Sequence, residues 1–298
     1  EDWVMKSLLV GMHRCEIIRF MEETNGCRPS DRLISRVQTK LDDQAKAFKE
    51  RPLKGRYEYV YLDAAWVKNI SGINAKRVCI LTAVGITETG EKEILGFERV
   101  QRECTSSWRG FLSRLIGRGL DPRLLRLIVS DEHKGLAAAV AEVFGDVGHQ
   151  LCWAHRVRNV FKAIAKSERS AMMEGLKAIY DAAHKAGAKR AFREWSYKWG
   201  QKYPSLVASV EEDLGQLLSF YDRPELHWKY LRTSNPVERV FLELRRRNFG
   251  CGAFATTAQS DRVVYGVFQW LNKKWKGQDI WDKRRRQMAK EQVMKLAA

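Results

Sequence analysis

The sequence predicts an α/β fold in which a mixed sheet is joined to an all-helical insertion and preceded by a helical N-terminal element. Near-continuous apolar runs typical of buried strands recur between Tyr57 and Arg99. Helical and strand patterns then alternate as far as Leu151, and only helical spacing is found from His155 to Trp228. At 298 residues, the chain can bury one large core that carries such an insertion.

Residues 1–52 are predicted to form the helical N-terminal element. Apolar residues recur at helical intervals after Pro29, and Pro52 ends the pattern. This segment could be the end of a DNA-binding helix-turn-helix region followed by a connecting helix. Because the first residue is Glu1 rather than Met, we expect the chain to be a fragment of a longer protein.

Three predicted strands follow this element. Residues 59–67, 78–86 and 93–99 are apolar runs, and a turn over residues 87–90 separates the second from the third. Asp63 is the single acid that interrupts the first run. Neighbouring strands with short connections predict a three-stranded antiparallel meander.

Helices and strands alternate after the meander. An amphipathic stripe over residues 108–116 predicts a helix capped by Thr105 or Ser106. A fourth strand over residues 124–129, a helix over residues 135–144 and a short fifth strand over residues 149–151 follow. This order is that of a ribonuclease-H-like fold, whose first part we place at residues 53–158.

The rest of the chain is predicted to hold the insertion and the end of the sheet domain. We place the all-helical insertion at residues 159–230, and the last part of the domain, with a basic C-terminal tail, at residues 231–298. Asn235-Pro236 predicts a helix start, because Asn is a good N-cap and Pro suits the first helical position. That helix is expected to run to about Arg247, before the glycines at positions 250 and 252.

The charge of the chain favours a polyanionic partner. The formal net charge is +17, and the last 60 residues hold 14 Lys and Arg against 5 Asp and Glu. Lys and Arg side chains that neutralise phosphates release condensed counterions, so this balance favours nucleic acid. A solvated surface is the alternative for a basic run such as Lys283–Arg286, which could also be a nucleic-acid patch or a targeting signal.

Cysteine spacing and hydropathy indicate the expected compartment. The six cysteines are scattered without a C-x-x-C pair, and there is no secretory pattern and no apolar run of 18 or more residues. We therefore expect reduced thiols, a cytoplasmic location and no membrane span.

Three acids stand out against their surroundings. Asp63 interrupts a strand that is predicted to be buried, where an ionised carboxylate is costly unless it has a partner. Asp131 closes the fourth strand, and Glu238 lies in the first turn of the helix that starts at Asn235. Each acid alone has a structural explanation: an ion pair for Asp63, a helix N-cap for Asp131 and a capping box for Glu238.

Together, the three acids predict a metal site. In a ribonuclease-H-like sheet the first and fourth strands are neighbours, so Asp63 and Asp131 would project toward one point, and a later helix can supply Glu238. Mg²⁺ prefers oxygen ligands and retains several waters, so a few carboxylates and a substrate phosphate suffice. Two ions about 3.5–4 Å apart can activate an attacking oxygen and stabilise the leaving one.

The chain resembles the Mutator-like transposases of bacterial insertion sequences, the group with a DDE catalytic triad. The resemblance runs from about Ser30 to Arg262 and rests on short motifs in one order and spacing. These motifs are Ile34-Ser35-Arg36-Val37, Arg51-Pro52-Leu53, Tyr61-Leu62-Asp63-Ala64, residues 129–136 (VSDEHKGL), residues 150–159 (QLCWAHRVRN) and residues 233–239 (TSNPVER).

The resemblance implies that Asp63, Asp131 and Glu238 are the catalytic triad and the ligands of two Mg²⁺ (or Mn²⁺) ions. It implies a nucleoid-associated bacterial transposase that cleaves transposon ends and transfers the 3′-OH into DNA. A homodimer on DNA is expected, because two ends must be brought together. A related nuclease that cuts without joining, and a transposase-derived DNA-binding protein without catalysis, are the alternatives.

Cys152 and His155 match the C-x-x-H signature of the same family. With His149 they could supply part of a Zn²⁺ site, but a structural site needs four ligands and no second pair with ligand spacing is present. The alternatives are a packed thiol beside a hydrogen-bonded histidine, and a supporting or DNA-contacting role. We predict that both residues lie near the site without being catalytic.

Several arginines are predicted to contact DNA. Three of them, Arg245 to Arg247, follow Glu238 on the same helix at roughly 10–14 Å, from a rise of 1.5 Å per residue, and could clamp a flanking duplex. The full set is Arg156, Arg158, Arg239, Arg245, Arg246 and Arg247.

Overall fold

A single mixed sheet lies at the centre of the computed structural model, which describes residues 1–71, 74–248, 254 and 256–296. Its strands are β1 (Tyr57–Ser71), β2 (Asn74–Thr87), β3 (Lys92–Val100), β4 (Leu127–Ser130) and β5 (Gly148–Leu151). The strand order is β3-β2-β1-β4-β5. The first three strands pair antiparallel, whereas β4 lies parallel to β1 and β5 parallel to β4. The predicted meander and the mixed α/β class are confirmed.

Helices precede the sheet, cover it and follow it in the chain. The helices in the described part are α1 (Asp2–Leu9), α2 (Arg14–Asn25), α3 (Asp31–Glu50), α4 (Thr105–Gly117), α5 (Lys134–Phe144), α6 (Trp153–Ala163), α7 (Arg169–Tyr180), α8 (Lys185–Gly200), α9 (Pro204–Glu212), α10 (Leu214–Leu217), α11 (Glu225–Leu231), α12 (Asn235–Asn248), α13 (Thr257–Trp275) and α14 (Ile280–Leu296). None of these helices is long and apolar enough to cross a membrane.

Strand β1 is buried on both faces because its side chains alternate between two cores. Tyr59 and Tyr61 pack in the core that α12 and α13 share with the sheet, whereas Val60 and Leu62 pack in the core of α4 and α5. Full burial of such an aliphatic side chain stabilises the fold by roughly 1.5–3 kcal/mol. The same alternation directs Asp63 to the face that α12 covers.

The hairpin of β1 and β2 is longer than the apolar pattern predicts. The two strands stay paired from Tyr57 with Thr87 to Ser71 with Asn74, beyond the predicted ends at Val67 and Val78. Polar residues occupy most positions of this extension, and they carry no hydrophobic signal although the backbone pairing continues.

The starts of β4 and α4 also differ from those predicted from the sequence. Strand β4 begins at Leu127 rather than at position 124, because residues Pro122–Leu124 form a 3₁₀ turn. The Asp121 side chain caps that turn by accepting a hydrogen bond from the Arg123 N–H at 3.0 Å. Helix α4 begins at Thr105, so the extended residue Cys104, rather than Thr105 or Ser106, takes the N-cap position.

Helix α11 brings the end of the helical stretch after β5 back to the sheet. The Tyr59 hydroxyl lies 2.7 Å from His227 Nδ1, and the Tyr61 hydroxyl donates to the Tyr230 carbonyl at 3.1 Å. Because α12 starts four residues after α11 ends, these contacts fix where the first turn of α12 meets β1. The glycines at positions 250 and 252, which were predicted to end α12, lie outside the described residues.

Candidate carboxylate site

Asp63 and Asp131 lie at equivalent positions of two neighbouring parallel segments. The parallel register between β1 and β4 pairs Tyr61 with Val129, and each acid lies two residues further along its own segment. Side chains two residues apart on a strand share a face. The two carboxylates are therefore neighbours, with Asp63 within β1, which continues to Ser71, and Asp131 directly after β4.

Asp63 is buried without a basic partner. Its residue surface is 7% exposed, and its Oδ1 accepts the Ala64 N–H at 2.7 Å. No Lys or Arg of the described chain forms an ion pair with it, so the ion-pair explanation for Asp63 is wrong. Burial, together with the negative charges of Asp131, Glu238 and Glu103, raises the pKa of this carboxyl to about 8.

Asp131 is not the N-cap of the following helix. That position belongs to His133, whose Nδ1 accepts the Leu136 N–H at 3.3 Å. Asp131 instead accepts the His133 N–H at 3.1 Å through Oδ1, in a local turn. This bond occupies one lone pair of one oxygen, so the carboxylate can still bind another group.

Glu238 lies on the first turn of α12, one residue later than the capping-box explanation requires. The helix starts at Asn235 itself, and the carbonyl of the preceding Ser234 accepts the N–H groups of Val237 and Glu238 at 3.0 Å each. Glu238 is thus the fourth helical residue rather than the third. Its Oε1 lies 3.7 Å from His155 Nε2 and 3.9 Å from an Arg158 guanidinium nitrogen.

Cys152 and His155 contact the third acid through Ser234. The Cys152 sulfur accepts the Ser234 N–H at 3.2 Å, and Ser234 Oγ lies 3.2 Å from that sulfur and 3.3 Å from His155 Nδ1. Ser234 Oγ also lies 3.4 Å from Glu238 Oε1. Burial raises the pKa of the Cys152 thiol.

The side chains of Cys152, His155 and Glu238 could also hold a metal ion themselves. One ligand atom from each lies within 4.8 Å of the others. His149, considered as a third ligand with Cys152 and His155, is absent from that group, because its Nε2 lies 2.8 Å from Ser130 Oγ. Burial lowers the pKa of His149 to about 4, which leaves its ring neutral at neutral pH.

Glu103 is a fourth acid that the sequence did not indicate. It lies between β3 and α4, where its Oε1 accepts the Trp108 Nε1–H at 3.2 Å and lies 3.6 Å from His133 Nδ1. Burial raises the pKa of this carboxyl, and Asp131 raises it as well. Glu103 follows no recognisable spacing, and the packing of α4 against α5, which follows β4, brings it near Asp131.

Asp63, Asp131 and Glu238 define the carboxylate site. Among the described residues, the group whose ligand atoms all lie within 4.8 Å of one another is Cys152, His155 and Glu238, and not these three acids. The three acids are linked instead by the charges of Asp131 and Glu238, which raise the pKa of Asp63, and Asp63 is buried with no ion pair among the described residues. A cation between the carboxylates would supply the missing charge. Carboxylate oxygens are the ligands that Mg²⁺ and Mn²⁺ prefer.

The predicted DNA-contacting arginines divide into exposed and buried residues. Arg158, Arg239 and Arg245 are exposed, and Arg246 is exposed but forms an ion pair with Glu243 at 2.7 Å. The side chain of Arg247 lies outside what the structure describes.

Arg156 does not suit its predicted role. The residue is 3% exposed, and its guanidinium pairs with Glu132 at 3.0 Å and with Asp213. Ser209 adds a hydrogen bond at 3.0 Å. The prediction that Arg156 contacts DNA is at odds with this placement, because a buried guanidinium with three partners cannot reach a phosphate. Arg156 instead connects α6 to the end of α9 through Ser209 and Asp213.

Comparisons with known proteins identify the family to which the chain is similar. The sequence model of the family described as "Transposase, Mutator family" matches residues 1–278. The transposase for insertion sequence element ISRM5 of Rhizobium meliloti is 34% identical over 265 residues, which are 89% of this chain and 66% of that protein. The transposase for insertion sequence element IS6120 of Mycolicibacterium smegmatis is 34% identical over 226 residues, 75% of this chain and 68% of that protein. The chain spans about two thirds of the length of these curated relatives.

Proposed function

The chain belongs to the Mutator family of transposases, and on this premise we propose that it cleaves DNA at transposon ends and transfers the freed 3′-OH into DNA. One observation carries the proposal: Asp63 within β1 and Asp131 directly after β4 lie at equivalent positions of neighbouring parallel segments, and the charge of Glu238 on α12 contributes to the raised pKa of Asp63. Asp63 is buried without a basic partner among the described residues, which destabilises a fold, so a function that requires this acid explains its presence.

The proposed fold is ribonuclease-H-like. Three antiparallel strands, followed by two parallel strands with α5 between them, support this assignment. In such a sheet the first and fourth strands are neighbours, and the parallel pairing of β1 with β4 supports the proposal that Asp63 and Asp131 act together.

The proposed cofactor is a pair of Mg²⁺ (or Mn²⁺) ions held by Asp63, Asp131 and Glu238. When bound, such ions activate the attacking oxygen and stabilise the charge on the leaving oxygen. Within the chain, the Ala64 N–H orients Asp63, and the His133 N–H orients Asp131. Ser234 and His155 hold Glu238 from the side of α6, and Arg158 is exposed beside it, where it can contact a phosphate.

The proposed partners are transposon-end DNA and target DNA. A net charge of +17 supports binding to a polyanion. We also propose a homodimer on DNA, because transposition joins two ends of one element.

A strand-transfer assay with pre-cleaved ends tests this function. The purified protein with Mg²⁺ should nick an uncut end and join a pre-cleaved 3′-OH end to a second duplex. The Asp63→Asn variant should do neither while still binding DNA. Asp146→Asn is the matched control, because Asp146 is exposed and distant in sequence from the three acids.

Each outcome of the assay has a distinct meaning. Nicking without joining would replace the proposal with a nuclease of the same fold. DNA binding without either reaction in the unmodified protein would favour a transposase-derived DNA-binding protein. Activity of Asp63→Asn equal to that of Asp146→Asn would refute the assignment of the site.

A further inference from the structure

A second site lies beside the first turn of α12, where a pocket of about 270 Å³ collects basic side chains from four separate elements. Lys92 comes from the start of β3, Lys229 from α11, Arg239 from α12 and Lys283 from α14. Asn235 lines the pocket from the start of α12, and Asp279 from the connection between α13 and α14. We call this the α12 pocket.

The walls of the α12 pocket are held in place by specific contacts. The Ile280 N–H donates to the Gly90 carbonyl at 3.1 Å, and the Gly277 N–H donates to Glu91 Oε1 at 2.7 Å. These bonds fix the start of α14 to the turn before β3. On the other side, the Trp281 ring stacks on His227 of α11 at a centroid distance of 3.8 Å. These contacts hold together the elements that carry the basic side chains.

The four cations of the pocket have no ion-pair partner in the part of the chain that the structure describes. Asp279 is the acid that lines the pocket, and its carboxylate already accepts the N–H groups of Trp281 at 2.7 Å and Asp282 at 3.0 Å. It also lies 3.4 Å from Arg285. The positive charge of the pocket is therefore largely uncompensated.

Mutual repulsion within the pocket is visible at Lys92. Its ammonium lies 4.5 Å from the centroid of the Trp275 ring. Burial, together with the positive charges of Arg239, Lys283 and Lys274, lowers the pKa of Lys92 to about 8. An anion in the pocket would relieve this repulsion.

The basic run Lys283–Arg286 differs from the set of pocket cations, because its three arginines form ion pairs. Arg284 pairs with Glu291, Arg285 with Asp279 and Asp282, and Arg286 with Asp282. Lys283 is the member of this run that lines the α12 pocket, and the described residues provide no acid for it. The three arginines of the run are therefore paired with acids, whereas the charge of Lys283 lies at the pocket.

The pocket is next to the carboxylate site along α12. Arg239 directly follows Glu238, and successive helical residues point about 100° apart around the axis, from 3.6 residues per turn. Glu238 faces the acids, whereas Arg239 faces the pocket. The carboxylate site and the α12 pocket are therefore lined by consecutive residues of one helix. The start of α12, which also lines the pocket, adds a favourable helix dipole.

We propose that the α12 pocket binds a backbone phosphate of the DNA, adjacent to the phosphodiester that is cleaved or joined. This inference rests on the proposed function for its ligand, because DNA is the polyanion that such a protein must hold. Phosphate contacts of this kind position a strand and carry no sequence information. The pocket would accordingly set the path of the strand past the carboxylate site.

The test compares two double variants of equal charge. Lys229→Gln with Lys283→Gln removes two pocket cations, and Lys177→Gln with Lys189→Gln removes two exposed lysines from α7 and α8. Binding to an end-containing duplex is measured without divalent metal over a range of salt concentrations. The slope of log K against log salt should become shallower by roughly 0.9 in the pocket variant, the value for one lost phosphate contact, and should not change in the control.

A second measurement locates the contact. Single methylphosphonate linkages, which lack the phosphate charge, are placed one at a time along the DNA strand near the cleavage position. One or two positions should weaken binding by the unmodified protein and leave the pocket variant unaffected, since the partner cations are already absent. Thermal unfolding confirms that each variant is folded.

These results separate the pocket from the proposed reaction, because neither measurement requires cleavage. A changed slope in a protein that neither cuts nor joins DNA would keep the pocket as a DNA site and refute the catalytic proposal alone. Equal slopes for the pocket variant and its control would overturn the inference. Loss of calorimetric binding of inorganic phosphate with an unchanged DNA slope would also overturn it, since the pocket would then be a site for free anions.

Discussion

Ser234 connects Cys152 to Glu238: its hydroxyl oxygen lies 3.2 Å from the cysteine sulfur and 3.4 Å from the glutamate Oε1. The serine precedes α12, whereas Cys152 precedes α6, so one hydroxyl joins the starts of two helices. The C-x-x-H motif is thereby coupled to the third acid of the carboxylate site.

Replacing Ser234 by Ala tests that coupling. The variant should fold, but cleavage should fall by roughly 10–100-fold, as is typical when a residue that orients a metal ligand is removed. The Mg²⁺ concentration for half-maximal cleavage should rise, because Glu238 would be held less firmly. Ser219→Ala is the matched control, since the Ser219 hydroxyl donates to the Gly215 carbonyl and contacts none of the three acids in the described structure. An unchanged Mg²⁺ requirement would show that Ser234 is only a packing residue.

The metal preference distinguishes the two groups of ligands that share Glu238. If Asp63, Asp131 and Glu238 hold the ions, Mg²⁺ or Mn²⁺ should support cleavage, and Ca²⁺ should inhibit it because it tolerates looser coordination. Elemental analysis of purified protein should find no stoichiometric zinc. Stoichiometric zinc that is lost in Cys152→Ser would instead assign the metal to Cys152, His155 and Glu238.

The stability of the metal-free protein should depend on the charge of Asp63. Its pKa is about 8 in the fold, against about 3.9 in an unfolded chain. The folded state therefore retains a proton that the unfolded chain has released, and the resulting stabilisation is lost as pH rises through 8. Between pH 5 and 8.5 in EDTA, Tm should fall more steeply in the unmodified protein than in Asp63→Asn.

Saturating Mg²⁺ provides the control for this measurement. A bound cation favours the ionised carboxylate, so the unmodified protein should then lose the excess pH dependence, while Asp63→Asn should respond little to the ion. Parallel pH profiles of the two proteins in EDTA would contradict the assignment of a raised pKa to Asp63.

Arg156 and Arg158 should behave differently although they are two residues apart. Arg156→Ala leaves Glu132 and Asp213 without their buried partner and should lower the free energy of unfolding by on the order of 3 kcal/mol. Arg158→Ala should leave stability nearly unchanged and weaken cleavage, because the Arg158 side chain is exposed beside Glu238. Chemical denaturation and cleavage assays measure both effects. Equal stability of the two variants would contradict the buried role of Arg156.

The sequence predicted the sheet better than the side-chain contacts of the site. Apolar runs identify β1 to β3 because strand burial leaves a period that is readable over a few residues. The placement of Asp63 beside Asp131 follows from the same strands. Whether Arg156 faces water or the protein depends instead on α9, whose Ser209 and the Asp213 that follows it meet α6 only in the folded chain.

The positions of Glu103 and of the residues that line the α12 pocket also could not be predicted from the sequence. Glu103 lies in a connection without periodicity, and its nearness to Asp131 depends on the packing of α4 and α5. The pocket is lined by Lys92 of β3 and Lys283 of α14, which are far apart in the sequence. No local pattern encodes such long-range placements, which arise when separate elements dock on one core.

The shortness of β4 has a consequence for the carboxylate site. Three residue pairs connect β4 to β1, and backbone hydrogen bonds mark its two ends: Arg126 N–H to the Glu58 carbonyl and Cys152 N–H to the Ser130 carbonyl, each 2.8 Å. A slip of one residue would reverse every side chain of β4 and turn Asp131 away from Asp63. All four side chains of β4 are buried, so the apolar cores on both faces of the sheet oppose such a slip. The packing of these four residues therefore also fixes the position of Asp131 relative to Asp63.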